Sequence, residues 1–296
     1  MRHVGLAKQK RTKSTSCHAQ PIPLPLGAVG GAKIIAIANQ KGGVGKTTTS
    51  VNLAASLAAA EQSTLLVDVD PQGNASSGLG VRPRTLELSL YDALIERVRL
   101  REVILDSEVP GLQLAPATQD LVAVELELID AEDRAARLKN TLAQVRDDYH
   151  YILLDCPPSL GLLTVNALSA ADEVLVPMQC EYYALEGLTQ LMATIDRIKG
   201  LYNPQLDVAG IVLTMFDSRN SLTHQVAQEV RDHFHVFDAI IPRNVRLSEA
   251  PSHGKPALLY DAACRGTQGY LSLAHEIINK APGASDGADA APKERA

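Results

Sequence analysis

Residues 34–49 read Ile-Ile-Ala-Ile-Ala-Asn-Gln-Lys-Gly-Gly-Val-Gly-Lys-Thr-Thr-Thr, and this stretch decides the fold. Ile34–Ala38 is an apolar, strand-like run. Gly42, Gly43 and Gly45 follow closely, and from Lys46 to Ala60 the pattern is helical. Glycines let the backbone bend so that successive N–H groups face inward. The helix N-terminus adds the positive end of its dipole, and together the two hold phosphate oxygens. In such a loop Gly42, Gly43, Val44, Gly45 and Thr48 contribute backbone. Lys46 reaches the outer phosphates and the Thr47 hydroxyl ligates a metal. The expected ligands are therefore ATP and Mg²⁺.

Two aspartate-bearing runs support this reading over a chance glycine turn. Tyr151–Asp155 is an apolar strand ending in a carboxylate and followed by Cys156-Pro157-Pro158. Such a carboxylate sits beside the phosphate loop and holds Mg²⁺, often through water. Thr64-Leu65-Leu66-Val67-Asp68-Val69-Asp70 is a second run of this kind. If the strand extends to Asp70, Asp68 and Asp70 share a face. Asp68 and Asp155, with Thr47, are the expected metal residues. Asp70 is the candidate for orienting the attacking water, and Lys41 and Lys46 for stabilising charge on the transferred phosphoryl group.

Outward from the loop, short apolar runs alternate with helical patterns. Strands are expected at Ile34–Ala38, Thr64–Val69, Leu112–Ala115, Tyr151–Asp155, Glu173–Pro177, Val208–Met215 and Ala239–Ile241. Helices are expected at Lys46–Ala60, Leu121–Leu128, Arg134–Val145, Leu160–Ala171, Leu185–Lys199, Leu222–Phe234 and Gly269–Asn279. This alternation predicts an α/β fold: a mostly parallel, twisted sheet with helices on both faces. The expected organisation is a basic arm (1–32), one ATPase domain (33–280) and a small, polar tail (281–296).

Composition narrows the function. The chain has 296 residues, 4% aromatic and without Trp, so its core must come from Leu, Val, Ile and Ala. Four cysteines, at 17, 156, 180 and 264, form no CxxC pair, which argues against a zinc site or a disulfide framework. No apolar run of about 18 residues is present to span a membrane. Residues 1–33 carry six of the 28 Lys and Arg and no acid, leaving 22 basic against all 34 acidic residues for the remainder. A polyanion site must then be a local patch or the arm. A basic, acid-free arm also fits a transit peptide, although it lacks an amphipathic helix.

One departure in the loop is informative. Position 40 is Gln where the ordinary phosphate loop has Gly, and Lys41 follows. This resembles the deviant Walker A box, Lys-Gly-Gly-x-Gly-Lys-Ser/Thr. Together with Val67–Ser77, Leu154–Ser159, Pro177–Gly187 and Ile241–Lys255, it makes the chain similar to the ParA/Soj branch of the ParA/MinD ATPases from about Lys33 to Lys280. The resemblance implies ATP hydrolysis that is slow and partner-stimulated, and an ATP-bound homodimer in which Lys41 contacts the opposite subunit's nucleotide. It also implies nonspecific binding to double-stranded DNA, a ParB-like centromere-binding partner, and a cytoplasmic, nucleoid-associated location. By motif, Pro242 and Asn244 should lie near the adenine and Glu181 on the dimer-facing side of the nucleotide. Arg219 and Arg246 match DNA-contacting positions.

Three other readings remain at this point. A MinD-like membrane-cycling ATPase needs a C-terminal amphipathic helix, which the tail cannot form. An iron–sulfur reductase needs suitably placed thiolates. A ParA-like positioner of a plasmid or another cargo is poorly separated by sequence, because cargo belongs to the partner.

Overall fold

The computed structural model describes residues 30–280. The tail and all but the last three residues of the expected arm lie outside them. Eight strands, β1 (Lys33–Ile37), β2 (Thr64–Asp68), β3 (Leu105–Asp106), β4 (Leu112–Ala115), β5 (Tyr151–Asp155), β6 (Glu173–Gln179), β7 (Asp207–Phe216) and β8 (Val236–Pro242), form one sheet in the order β3-β4-β2-β5-β1-β6-β7-β8. Every neighbouring pair is parallel except β3–β4.

The near-continuous apolar strands follow from burial on both faces. In β1, Ile34 and Ala36 face one core while Ile35 and Ile37 face the other. In β2, Leu65 and Val67 oppose Leu66 in the same way. Twelve helices cover these faces among the described residues. They are α1 (Lys46–Ala59), α2 (Asn74–Gly78), α3 (Leu90–Leu94), α4 (Leu100–Val103), α5 (Val124–Glu127), α6 (Arg137–Leu142), α7 (Leu162–Ala170), α8 (Ala184–Leu201), α9 (Ser221–His233), α10 (Val245–Glu249), α11 (Ala257–Tyr260) and α12 (Arg265–Asn279). Helices α1 and α12 fill one core with Leu53, Leu57, Tyr270 and Leu273, and α3 to α9 fill the other.

All seven expected strands are present with ends shifted by at most a few residues. Two expected helices are shorter. Leu121–Leu128 becomes a 3₁₀ turn over Gln119–Ala123 followed by α5, and Arg134–Val145 contracts to α6. The sequence reading also omitted β3, α2, α3, α4, α10 and α11. At two to five residues each, they are too short to show a hydrophobic period, and some are set by caps instead. The Asp92 carboxylate accepts the Ser89 N–H at 2.9 Å to start α3, and the Asn244 side chain accepts the Arg246 N–H at 2.8 Å to start α10.

Strand order positions the site. The central strand β1 has β5 on one side and β6 on the other, so the loop leaving it opens at the switch point where sheet crossovers diverge. The register sets Asp68 directly beside Asp155, and Asp155 beside Ile37.

Candidate nucleotide site

The loop between β1 and α1 is built as the glycines dictate. Gly43 and Gly45 have φ of 75° and 89°, a region that side chains rarely adopt. Gly45 is the N-cap of α1 and supplies no side-chain cap, so the first-turn N–H groups of α1 remain for a ligand. The rest of the loop is braced from other strands. The Thr214 hydroxyl on β7 donates to the Val44 carbonyl at 2.8 Å. Asn39 donates to the Pro177 carbonyl at 2.8 Å and accepts the Lys41 N–H at 3.0 Å.

Lys46 is 8% exposed and reaches the Lys41 carbonyl at 3.2 Å. Burial lowers its pKa, and the opposing charge of Asp155 resists that shift. Asp155 accepts the Thr47 hydroxyl at 2.8 Å on one oxygen and the Ser50 hydroxyl at 2.7 Å on the other. Asp68 is fully buried and accepts the Ser76 N–H at 2.8 Å and the Ser76 hydroxyl at 2.6 Å. Burial, and then the neighbouring charge of Asp155, push Asp68 up to about 7. Burial pushes Asp155 up to about 6 against the hydrogen bonds from Ser50 and Thr47.

Two buried carboxylates lie side by side, with Lys46 close enough to act on Asp155. With the Thr47 hydroxyl they form a hard oxygen donor set that suits Mg²⁺. No group of three His, Cys, Asp or Glu forms a metal cage among the described residues.

Strand β2 ends at Asp68, so Asp70 lies in the following turn and not on a shared strand face. Its carboxylate accepts the Gln72 N–H at 2.9 Å and stays close enough to Lys46 to act on its charge. Lys41 is exposed at the lip of the loop and forms an ion pair with Glu181 of the same chain. A cavity of about 310 Å³ beside α1 is lined by Thr47, Thr48, Asn52, Asn74, Ser77 and Pro251, and not by Pro242 or Asn244. Pro242 ends β8, and Asn244 uses its side chain to cap α10.

Arg219 and Arg246 are both on the surface, and both are neutralised. Arg219 makes a two-pronged pair with Asp217 at 3.0 and 3.1 Å. Arg246 bonds Glu249 at 2.8 Å and Asp261 at 3.3 Å. Between Thr214 and Arg219, Met215 takes the left-handed φ of 48°.

Ser50, Ser76 and Thr214 escaped the sequence reading. Ser50 was findable, because it lies one helical turn after Lys46. Ser76 follows Asp68 by eight residues, and Thr214 is 170 residues from Val44, so only the fold brings them in. Cys156, Cys180 and Cys264 are free, and burial holds Cys156 and Cys180 well above the usual thiol range.

A family model described as an AAA domain matches residues 32–208. The chain is 55% identical over 250 residues to the chromosome partitioning protein ParA of Myxococcus xanthus, covering 84% of this chain and 88% of that one. It is 53% identical to the sporulation initiation inhibitor protein Soj of Bacillus subtilis, covering 83% of this chain and 98% of the relative. Among solved structures it is similar to the cobyrinic acid a,c-diamide synthase of Mycobacterium smegmatis with bound ADP and magnesium, at TM-score 0.74 and 34% identity. That match covers 83% of this chain and 94% of the other. It is also similar to the cell division ATPase MinD of Pyrococcus furiosus, at TM-score 0.71 and 26% identity, covering 84% of this chain and 100% of that one.

Proposed function

The chain belongs to the ParA/Soj family of chromosome-partitioning ATPases, and from that premise we propose that it hydrolyses ATP to ADP and phosphate as a two-subunit switch. The ATP-bound dimer binds double-stranded DNA without sequence preference, which places it on the nucleoid. A ParB-like partner stimulates hydrolysis and ends that state. The observation that carries this reading is the continuous set from Gly42 to Thr48 through Asp155: an uncapped helix N-terminus, a buried lysine and a hydroxyl–carboxylate pair converging on one point.

The chain's own residues divide the work. The N–H groups from Gly42 to Thr48 bind phosphate oxygens. Lys46, poorly solvated, contributes a charge whose effect is strengthened by burial. Thr47, Asp155 and Asp68 would hold Mg²⁺, with Asp68 beside Asp155 and itself fixed by Ser76. Mg²⁺, when bound, neutralises charge on the phosphates. Asp70 has one carboxylate oxygen engaged by Gln72 and is the residue that orients water. A carboxylate is a weak base, so unassisted turnover is slow.

Lys41 is the residue for the opposite subunit's nucleotide, with Glu181 beside it. Pro242 and Asn244 are assigned to the adenine, and Arg219 and Arg246 to DNA. Cargo follows from the partner. Among the described residues no helix is long and apolar enough to cross a membrane.

Light scattering and DNA co-sedimentation, each with Mg-ATP, Mg-ADP or no nucleotide, test the switch. Dimers and DNA retention should require ATP and disappear in Lys46→Ala. Equal DNA retention in all three nucleotide conditions would refute it.

A further inference from the structure

Helices α7 and α8 leave a groove of about 540 Å³ between them. Its apolar lining is Leu160, Val165, Ala193, Ile198, Leu201 and Tyr202, and Thr194 and Arg197 complete it. Leu160, Leu201 and Tyr202 are 45%, 66% and 49% exposed. Large apolar side chains gathered in an open groove mark an interaction surface. From Ala193 to Tyr202 the lining follows α8 for nine residues at about 1.5 Å each, or roughly 14 Å.

The described chain begins at the foot of this groove. Asp172, just past α7, accepts the Ile34 N–H at 2.8 Å and the Arg146 guanidinium at 2.8 Å. Arg146 also donates to the Ala32 carbonyl at 3.2 Å. Asn203, just past α8, donates to the Leu168 and Ala171 carbonyls of α7 at 3.0 and 2.7 Å. The C-terminal ends of both helices and the start of β1 therefore meet at one end of the sheet.

The sequence that leads into this point is Pro-Ile-Pro-Leu-Pro-Leu-Gly-Ala-Val, residues 21–29, which lie outside the described residues. It carries Ile22, Leu24, Leu26 and Val29 and no charge. Three prolines restrict their own torsions and those of the residues before them to extended, polyproline-type values. In that form Pro21–Leu26 is roughly 16 Å long at about 3.1 Å per residue, which matches the groove. The four steps from Leu26 to Gly30 reach about 14 Å when extended, enough to bring Leu26 to the Leu201–Tyr202 end.

We propose that Pro21–Leu26 docks in the α7–α8 groove of its own chain as an extended, polyproline-type segment, its Ile and Leu side chains covering Leu201 and Tyr202. Grooves with an aromatic wall take such segments because the prolines have already restricted the backbone, so little entropy is lost on docking. The absence of charge in the segment suits a lining whose one charged side chain is Arg197. The short tether adds an effective concentration of about millimolar, so even a weak contact stays formed.

The test places a photo-crosslinking residue in the groove, Arg197→p-benzoylphenylalanine, in the full chain. The purified protein is irradiated alone and with the ParB-like partner added, and the products are mapped by mass spectrometry. The expected product is a single-chain species linked to residues 21–29. Leu24→Asp should cut its yield at least about fivefold, because a carboxylate resists burial against apolar residues. A two-chain product would overturn the proposal and make the groove an interface between copies. A link to the added partner in place of the arm would overturn it in favour of that partner. No link to residues 21–29, or a yield unchanged by Leu24→Asp, would also overturn it.

Discussion

Replacing Thr214 with Val tests whether the phosphate loop is held from β7. The substitution keeps the side-chain shape and removes only the hydroxyl, at a site 2% exposed. It deletes the 2.8 Å bond to the Val44 carbonyl and leaves that acceptor without its partner beside a fully packed core. A typical net loss for such a bond is about 1 kcal/mol, rising to about 2 when the orphaned group stays buried. If the whole loss falls on the binding-competent loop, nucleotide affinity drops roughly five- to thirty-fold, since about 1.4 kcal/mol is a factor of ten. The same loss lowers Tm by about 2–4 °C per kcal/mol in a domain of this size. Fluorescent-nucleotide titration with Mg²⁺ and thermal unfolding without nucleotide should therefore move together. A lower Tm with unchanged affinity would refute the reasoning, because the bond would then support the sheet and not the loop. An affinity loss beyond about a thousandfold would also refute it, since about 4 kcal/mol exceeds what one such brace can contribute.

Three further outcomes are expected. Asp70→Ala should bind ATP and hold the dimer while turnover falls at least about a hundredfold, as removal of a positioning group does; normal phosphate release would take Asp70 out of its role. Asp217→Asn should free the Arg219 guanidinium and raise DNA affinity at low salt, whereas Arg219→Ala should reduce the salt slope by about one; unchanged binding in both would move the DNA interface elsewhere. Asp68→Asn concerns pH. Its pKa is raised from 3.8 to about 7, so between those values the folded state holds more protons than the unfolded one. Stability without nucleotide therefore falls as pH rises through that window, and the cost is fully present above it. The variant's Tm should fall less than the wild type's between about pH 5 and pH 8; equal losses would sink the assignment.

How much was legible depends on whether a structure is written locally. The phosphate loop was readable because glycines, lysine and threonine within one turn leave few alternatives. The strands were readable because burial on both faces makes them continuous apolar runs. Asp68 and Asp155 were readable singly as strand-end carboxylates, but their side-by-side placement comes from β2–β5 register. Asp70 would share the strand face with Asp68 only if pairing ran on to it, and the pattern Val-Asp-Val-Asp does not show that pairing stops at Asp68. The sequence identified Arg219 and Arg246 as basic positions but not their neutralisation. Asp217 is two residues from Arg219 and was visible, whereas Asp261 reaches Arg246 only through the fold. Ser76 and Thr214 are common residue types in unremarkable contexts, and only their distant partners mark them out.

The strained Met215 has a mechanical meaning. Thr214 grips the nucleotide loop, and the Asp217–Arg219 pair begins only three residues further along the same backbone. A stiff strand leaves almost no slack over that distance, so a shift of Val44 of even a fraction of an ångström must be absorbed in the few torsions between Thr214 and Asp217. A non-glycine residue in the left-handed region costs on the order of 1 kcal/mol, which makes Met215 the joint with most to gain from turning. A displacement at the phosphate loop therefore reaches the Asp217–Arg219 pair by way of the Met215 torsions.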